Sequence, residues 1–382
     1  MEWKSDNLEN LLDAIIDYRG KTPTKTSVGI PLVTAKIIKN GVINEFNEFI
    51  AEEDYDRWMV RGFPKPGDVV LTTEAPLGEV AQLDERKIAL AQRVVCLRGK
   101  SNILDNTYLK YYFLSNYGKK KLKSRESGTT VTGIKQSELR QVEVRYPSFE
   151  NQKRIASILS SLDDKIAVNR RICENLEAQA QALFKNWFVD FAPFKDGKFV
   201  ESELGLIPEG WRVGTLGEIA EFKRGYIITK SNTKEGSVPV VAGGLEPAYF
   251  HNQSNTSSRV ITISGSGANA GFTRMYYQPV WASDCSFVDN ASTPLLHTIY
   301  CYLLINKKKV DALQWGAAQP HVYAKDINKL PLAIAPLDVL NHFEELISKI
   351  FDFIEVNNKE IIRLSTLRDT LLPKLMSGEI KI

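Results

Sequence analysis

The chain has 382 residues, of which 43% are hydrophobic and 25% charged, and this ordinary globular usage excludes general disorder and collagen-like repeats. Its net charge of +3 is too small to indicate a nucleic-acid ligand by bulk charge, so such a ligand has to be argued from local charge. The four cysteines are far apart and no apolar run approaches the ~18 residues that span a bilayer, so we expect a soluble protein of the reducing cytoplasm without a disulfide framework or membrane contact.

Residues 1–147 predict a mixed α+β domain in which strands dominate, because short β-branched runs alternate with glycine, proline and asparagine. A basic strip over residues 110–145 carries nine Lys or Arg against three Glu, which favours contacts with phosphates. A solvated helix face would show the same charge. Strands are expected within residues 28–37, 66–73, 93–99 and 142–147, and a helix over 108–115.

Residues 148–198 predict a long helix over residues 150–188, followed by a linker that reads as a loop as far as residue 211. Apolar residues recur every 3.5 positions along this helix, which is typical of a coiled-coil seam. The predicted seam positions are Ile155, Leu159, Leu162, Ile166, Asn169, Leu176 and Leu183.

Residues 199–335 repeat the β-rich pattern, with strands expected within 237–244, 259–267 and 330–336 and a helix over 297–310. Residues 336–382 then repeat the helix, over 338–376, at a fixed displacement of 188 residues. The lysine triplet 119–121 recurs as 307–309 at the same displacement, which indicates a two-fold internal duplication. The second set of seam positions is Ile347, Ile350, Ile354, Asn357, Ile361, Leu364 and Leu371.

The two helices predict an antiparallel coiled coil about a pseudo-two-fold axis, because a closed two-fold arrangement places the β-rich domains at opposite ends. Asn169 and Asn357 occupy equivalent polar positions, and such residues usually fix register. Two separate amphipathic helices are the alternative. The predicted fold class is therefore α+β and internally duplicated, with two β-rich mixed domains separated by the two long helices.

No convincing catalytic centre is visible, which favours a binding or scaffold protein over an enzyme. Residues 20–22 and 99–101 end like phosphate-binding loops but lack the preceding glycine, and residues 265–271 have the wrong spacing for a dinucleotide fingerprint. Asp68 with residues 85–87 could imitate a nuclease metal site, but nothing nearby supports it.

One block of the chain resembles the specificity (S) subunit of type I restriction–modification systems. The block comprises YPSFENQKRIASIL (146–159), LDDKIAVNRR (162–171), LEAQAQALFKNWFVDFAPF (176–194) and IPEGW (207–211). The resemblance implies that residues 1–147 and 199–335 are target recognition domains, each reading one half of a bipartite, asymmetric DNA sequence. It implies that residues 148–198 and 336–382 are conserved spacer regions.

The same resemblance implies the partners. The spacer regions would set the unread gap in double-stranded DNA and dock two adenine-N6 methyltransferase (M) subunits, with two restriction (R) subunits as an optional addition. S-adenosylmethionine, ATP and Mg²⁺ would be bound by those subunits and no cofactor by this chain. The second helix lacks the LEAQAQALFKNWF sequence of the first helix, so the two docking surfaces are expected to differ.

Recognition domains of this family touch DNA through loops, and loops rich in Ser, Thr, Gln and Lys can donate to phosphates and base edges. We therefore expect DNA contacts in the loops of both domains and in the lysine triplets. The candidate residues are Lys21, Thr22, Thr24, Lys25, Thr73, Glu74, Gln92, Arg93, Lys119, Lys120, Thr129, Thr130, Thr132, Lys135, Arg224, Tyr226, Thr229, Lys230, Ser264, Ser266, Asn269, Lys307, Lys308, Gln314, Gln319, His321 and Tyr323.

Three other functions stay open at this point. A stand-alone methyltransferase or nuclease would need motifs that the sequence lacks. A coiled-coil adaptor would not bind DNA. A stand-alone DNA-binding regulator would need no methyltransferase partner.

Overall fold

The computed structural model describes residues 2–18, 22–128, 132–316 and 318–382, which form two compact units. Unit 1 comprises residues 1–167 and 361–382, and unit 2 comprises residues 168–360. The boundary crosses both long helices, so each helix contributes one end to each unit.

Unit 1 begins with the β-rich part of the chain. Its elements in chain order are β1 (Lys4–Asn7), α1 (Leu8–Leu11), β2 (Leu12–Asp17), β3 (Ile30–Val33), β4 (Ile38–Lys39), β5 (Val42–Ile43), β6 (Phe49–Ile50), α2 (Tyr55–Trp58), β7 (Val69–Thr72), β8 (Val80–Gln82), β9 (Ala89–Leu90), β10 (Val94–Gly99), α3 (Asn106–Leu114), α4 (Asn116–Lys123), α5 (Gln136–Arg140), β11 (Glu143–Tyr146) and the long helix α6 (Phe149–Phe188).

The central sheet of unit 1 has the strand order β2–β10–β7–β8, and all of its pairs are antiparallel. Alternate residues of β7 pack into different cores: Val69 and Leu71 lie in the core beneath α3, whereas Val70 lies in a second core. Because both faces are covered, the strand reads as a continuous apolar run. A second sheet has the order β6–β3–β9, with β3 and β9 parallel, and β1 pairs with β11.

Unit 2 contains the second β-rich part. Its elements are β12 (Phe199–Ser202), β13 (Gly205–Pro208), β14 (Arg212–Thr215), α7 (Leu216–Ile219), β15 (Lys223–Arg224), β16 (Val238–Val241), β17 (Tyr249–His251), β18 (Val260–Ser264), β19 (Thr273–Tyr276), β20 (Trp281–Ala282), β21 (Cys285–Asp289), α8 (Leu296–Ile305), α9 (Lys307–Asp311), α10 (Ala324–Ile327), β22 (Pro331–Ile334) and the long helix α11 (Leu337–Ser377).

The sheets of unit 2 repeat those of unit 1. The central sheet has the order β15–β21–β18–β19, the second sheet has the order β17–β16–β20 with β16 and β20 parallel, and β14 pairs with β22. The internal duplication predicted from the sequence is therefore confirmed, and it extends to the order of the strands.

The long helices α6 and α11 pair antiparallel within each unit. In unit 1, Ile155 shares a core with Leu375, and Arg368 Nη1 donates to Asp163 Oδ1 at 2.8 Å. The chain therefore advances along α6 while it recedes along α11, as the predicted antiparallel pairing requires.

Unit 2 shows the same direction. Cys173 Sγ lies 3.8 Å from the carbonyl oxygen of Ile354, and the rings of Phe184 and Phe343 are 6.0 Å apart. Asn169 is buried, and the amide of Asn357 donates to the carbonyl of Phe353 in its own helix.

None of the predicted seam residues is exposed, and this burial supports the 3.5-residue period. Buried members are Ile155, Leu159, Ile166, Asn169, Ile347 and Ile354, and half-buried members are Leu162, Leu176, Leu183, Ile350, Asn357, Ile361, Leu364 and Leu371.

Two expectations were wrong. The linker after α6 contains a hairpin, β12 with β13, whose tight turn uses Gly205 at φ +92°. The predicted helix over residues 297–310 is interrupted at Asn306, which separates α8 from α9. In the part of the chain that the structure describes, no helix is both long and apolar enough to cross a membrane.

Candidate nucleic-acid interface

Three stretches of unit 1 meet where β7 ends and β10 begins. The backbone N–H of Thr73 donates to the carbonyl of Arg93 at 3.0 Å, and the N–H of Ile134 donates to the carbonyl of Thr73 at 2.9 Å. Ser127 and Gly133 exchange two backbone hydrogen bonds, at 2.8 and 3.0 Å. We call the residues 22, 73–74, 92–93, 127 and 132–135 loop cluster 1.

Side chains reinforce loop cluster 1. Arg93 Nε lies 2.9 Å from Glu74 Oε1, and both side chains are about half exposed, at 49% and 41%. Thr22 Oγ1 donates to Gln92 Oε1 at 3.2 Å. A Cβ at Gly133 would lie 3.0 Å from the Cβ of Glu74, so this close approach favours glycine.

Unit 2 has a corresponding meeting point at the end of β18 and the start of β21. The backbone N–H of Gly265 donates to the carbonyl of Asp284 at 3.1 Å, and the N–H of Val322 donates to the carbonyl of Gly265 at 3.0 Å. Trp315 and His321 exchange two backbone hydrogen bonds, at 2.9 and 2.8 Å. We call the residues 226, 243, 264–269, 282–284, 314–316 and 318–323 loop cluster 2.

The side chains of loop cluster 2 differ from those of loop cluster 1. The hydroxyl of Ser266 donates to the carboxylate of Asp284. Asn269 Nδ2 donates to the carbonyl of Gly243 at 3.4 Å, and the rings of His321 and Tyr323 stack with centroids 6.0 Å apart.

The two clusters share one backbone framework. In each, the residue just after one central strand donates its N–H to a carbonyl just before another central strand, and its own carbonyl accepts from a third stretch of chain. In that third stretch, the residue just before the donor exchanges two backbone hydrogen bonds with an earlier residue. The equivalent positions are 73 and 265, 74 and 266, 93 and 284, 127 and 315, 133 and 321, and 134 and 322.

The exposed groups differ in chemistry between the clusters. Loop cluster 1 presents the cations Arg93 and Lys135 with hydroxyls such as Thr132. Loop cluster 2 presents aromatic rings, with Tyr226 70% and Trp315 64% exposed. Cations and hydroxyls suit phosphates and base edges, and aromatic rings supply apolar contact.

The remaining candidate residues are spread over both units. Thr73 and Ser264 are buried, so their side chains support the loops from inside. Lys25 pairs with Glu48 at 2.7 Å, Lys307 pairs with Asp311, and Gln314 Nε2 donates to the carbonyl of Ala270. Exposed candidates are Thr24, Lys119, Lys120, Arg224, Thr229, Lys230, Lys308 and Gln319, and Lys21, Thr129 and Thr130 lie outside the described residues.

Asp284 is absent from the sequence-based candidates. Its counterpart Arg93 lies 191 residues earlier, whereas the repeat of the long helices is 188 residues, so a fixed displacement points to Trp281 instead. The pattern of strand ends, rather than the spacing, reveals the equivalence.

The groups that could imitate an active site have structural partners. Arg98 Nη2 lies 2.6 Å from the buried carboxylate of Asp68. Burial and the neighbouring Asp68 raise the pKa of the Cys96 thiol, and burial raises the pKa of Cys285 to about 12. Among the described residues, no group of three His, Cys, Asp or Glu side chains is placed to hold a metal ion.

Comparisons with known proteins agree with this architecture. Residues 2–178 and 208–366 match the type I restriction modification DNA specificity domain. The chain is 31% identical to the MjaIX type I restriction enzyme specificity subunit of Methanocaldococcus jannaschii, over 92% of this chain and 87% of that protein.

More distant proteins extend the comparison. The HindI specificity subunit of Haemophilus influenzae is 24% identical over 61% of this chain and 68% of its own length. The crystal structure of the type I restriction-modification S subunit from M. genitalium superposes with a TM-score of 0.60 and 19% identity, covering 98% of this chain and 96% of that one, and so shares the fold. Together with the duplicated strand order and the paired long helices, these matches show that the chain belongs to the family of type I restriction–modification specificity subunits.

Proposed function

We propose that this chain is the non-catalytic, DNA-reading subunit of a type I restriction–modification complex and that its target is bipartite and asymmetric. The observation that carries the proposal is the pair of loop clusters, which place different side chains on one shared backbone framework. The same framework supports docking on two similar stretches of duplex, and the different side chains support two half-sites of different sequence.

Local positive charge supports the affinity for DNA. Lys119 and Lys120 are exposed on α4, and Lys308 is exposed at the equivalent place on α9. Each phosphate that such a side chain neutralises releases counterions, so binding should weaken as salt rises. The Asp284 carboxylate of loop cluster 2 faces base edges in this proposal, since it would repel phosphates.

The outer surface of the long helices supports docking of partner subunits. In unit 2, Phe353 and Val356 are each 63% exposed, and in unit 1 Ile362 is 62% and Leu367 45% exposed. Apolar side chains of this size in water favour burial against another protein. We assign these surfaces to two M subunits, with two R subunits as an optional addition, and S-adenosylmethionine, ATP and Mg²⁺ to those partners.

The lengths of the long helices support a role in setting the gap between half-sites. Helices of 40 and 41 residues are each about 60 Å long, against a helical repeat of ~34 Å in DNA. Adding one heptad to each helix, beside Asn169 and Asn357, keeps the seam and adds about 10 Å, so we expect the gap to lengthen by about 3 bp. An unchanged gap in a fully methylating variant would refute this role.

The experiment that tests the function is single-molecule sequencing of N6-methyladenine in DNA from cells with and without this gene. We expect one motif, made of two short halves around a fixed gap, to disappear with the gene. If partner subunits co-purify with the chain and methylate DNA without such a motif, the proposal is wrong. Retention of the chain by DNA without any methyltransferase partner would indicate a stand-alone regulator instead.

A further inference from the structure

One pair of equivalent positions differs in charge between the two loop clusters. Position 93 in unit 1 is an arginine paired with Glu74, whereas position 284 in unit 2 is an aspartate that accepts from Ser266. Both residues stand just before a central strand, and both have their carbonyl held by the N–H that follows another central strand.

Each pair is held by backbone bonds on both sides. Glu74 and Ser266 form antiparallel bridges with Gly133 and His321, respectively. These bonds fix the backbone that carries each side-chain pair, and such preorganisation favours selective hydrogen bonding over loose charge attraction. A Cβ at Gly265 would lie 3.2 Å from Asp284 Oδ1, so the glycine leaves room for that carboxylate.

The chemistry of the two tips is complementary to different base edges. An arginine donates two hydrogen bonds to guanine O6 and N7 in the major groove, whereas an aspartate accepts from an exocyclic amino group. A carboxylate repels the phosphates of DNA, so the contact with DNA that suits Asp284 is one with a base edge.

We propose that positions 93 and 284 are equivalent specificity-determining residues, with Arg93 reading a guanine in one half-site and Asp284 reading an exocyclic amino group in the other. Glu74 and Ser266 are positioning residues that hold these tips. The inference rests on the proposed DNA-reading function and adds to it which residue of each unit distinguishes the half-sites.

The test is the methylated motif of the complete complex, formed with its methyltransferase subunits in cells that lack the wild-type chain. Arg93→Gln should lose about 10- to 100-fold in discrimination at one guanine of one half-site, with the other half and the gap unchanged. Asp284→Asn should change the preference at one position of the opposite half-site, because an amide can donate as well as accept. Glu74→Gln should weaken discrimination at the same guanine as Arg93→Gln, which a merely structural role would not do.

Matched controls remove exposed charges of residues that belong to neither cluster. Arg57→Gln in unit 1 and Asp196→Asn in unit 2 should leave both halves of the motif unchanged, since both side chains are exposed. For a variant too weak to methylate, selection of bound duplexes from a library with one randomised half-site gives the same readout. Unchanged motifs in Arg93→Gln and Asp284→Asn, or a uniform loss of binding to all sequences, would overturn the inference. A wild-type complex without a bipartite motif would instead overturn the proposed function.

Discussion

Asp163 links the recognition part of unit 1 to both long helices, and its replacement by asparagine tests that link. The carboxylate accepts from Tyr111 Oη at 2.6 Å and from Arg368 Nη1 at 2.8 Å, and it lies 3.8 Å from Lys110 Nζ. Asparagine keeps the size and one acceptor oxygen but leaves two cations without their shared anion.

The magnitude follows from burial. Breaking a fully buried ion pair costs about 3–5 kcal/mol, but Asp163 and Arg368 are 23% and 24% exposed, so partial screening reduces the expected cost to about 2 kcal/mol. A difference of that size increases the open fraction about 30-fold. The matched control is Asp164→Asn, because Asp164 is the exposed neighbour and its loss should cost under about 0.5 kcal/mol.

Hydrogen–deuterium exchange on the full chain is the suitable assay, because it reports the opening of each unit separately. Amides of α3 and of residues 361–377 should lose protection about 30-fold in Asp163→Asn, whereas unit 2 should not change. Equal exchange in Asp163→Asn and Asp164→Asn would refute the reasoning.

The pH dependence gives a second readout. Burial lowers the pKa of Lys110, and loss of the Asp163 carboxylate should lower it further. At a pH between the lowered folded pKa and the unfolded pKa of Lys110, the unfolded chain binds more protons than the folded chain. The stability of the variant should therefore rise with pH across this window. The cost of Asp163→Asn should therefore shrink as the solution becomes alkaline.

Three further predictions concern unit 2 and DNA binding. Burial opposes ionisation of Glu344, but its hydrogen bonds outweigh burial and lower its pKa. The stability that the Glu344 carboxylate contributes is therefore present above its unfolded pKa and lost as pH falls through its folded pKa. Glu344→Gln should make the stability of unit 2, followed by hydrogen exchange, depend less on acid pH. Phe343→Ala should destabilise unit 2 by about 3–5 kcal/mol because the ring is fully buried, whereas Phe353→Ala, at a 63% exposed ring, should cost under about 0.5 kcal/mol in the same assay. Lys119→Gln with Lys120→Gln should reduce the slope of log binding constant against log salt by about 2 for the assembled complex, and an unchanged slope would remove both lysines from the phosphate contacts.

The long helices could be predicted almost to the residue because a sustained period is a strong local signal. The expected helix over 150–188 is observed as Phe149–Phe188, and that over 338–376 as Leu337–Ser377. Strand pairing could not be predicted, because partners such as Lys4 and Tyr146 are distant in the sequence.

The candidate interface was only partly predictable for a related reason. The loops around Glu74 and Arg93 could be chosen by composition, but their contact depends on where β7 and β10 end in the folded sheet. Asp284 was missed because insertions shift the loops of the two halves relative to each other. Equivalent loop residues are identified by their backbone hydrogen bonds in the folded chain, and a constant displacement along the sequence does not find them.

The division of both long helices between the units has a consequence for biosynthesis. Unit 2 is one continuous stretch, 168–360, so a ribosome delivers all of it before residues 361–382 exist. Unit 1 can complete its folding only after residues 361–382 are synthesised, because Leu375 and Met376 complete the core around Ile155. Nascent chains should therefore mature from the middle outward, and premature termination within 361–382 should damage the earlier-synthesised recognition domain while sparing the later one.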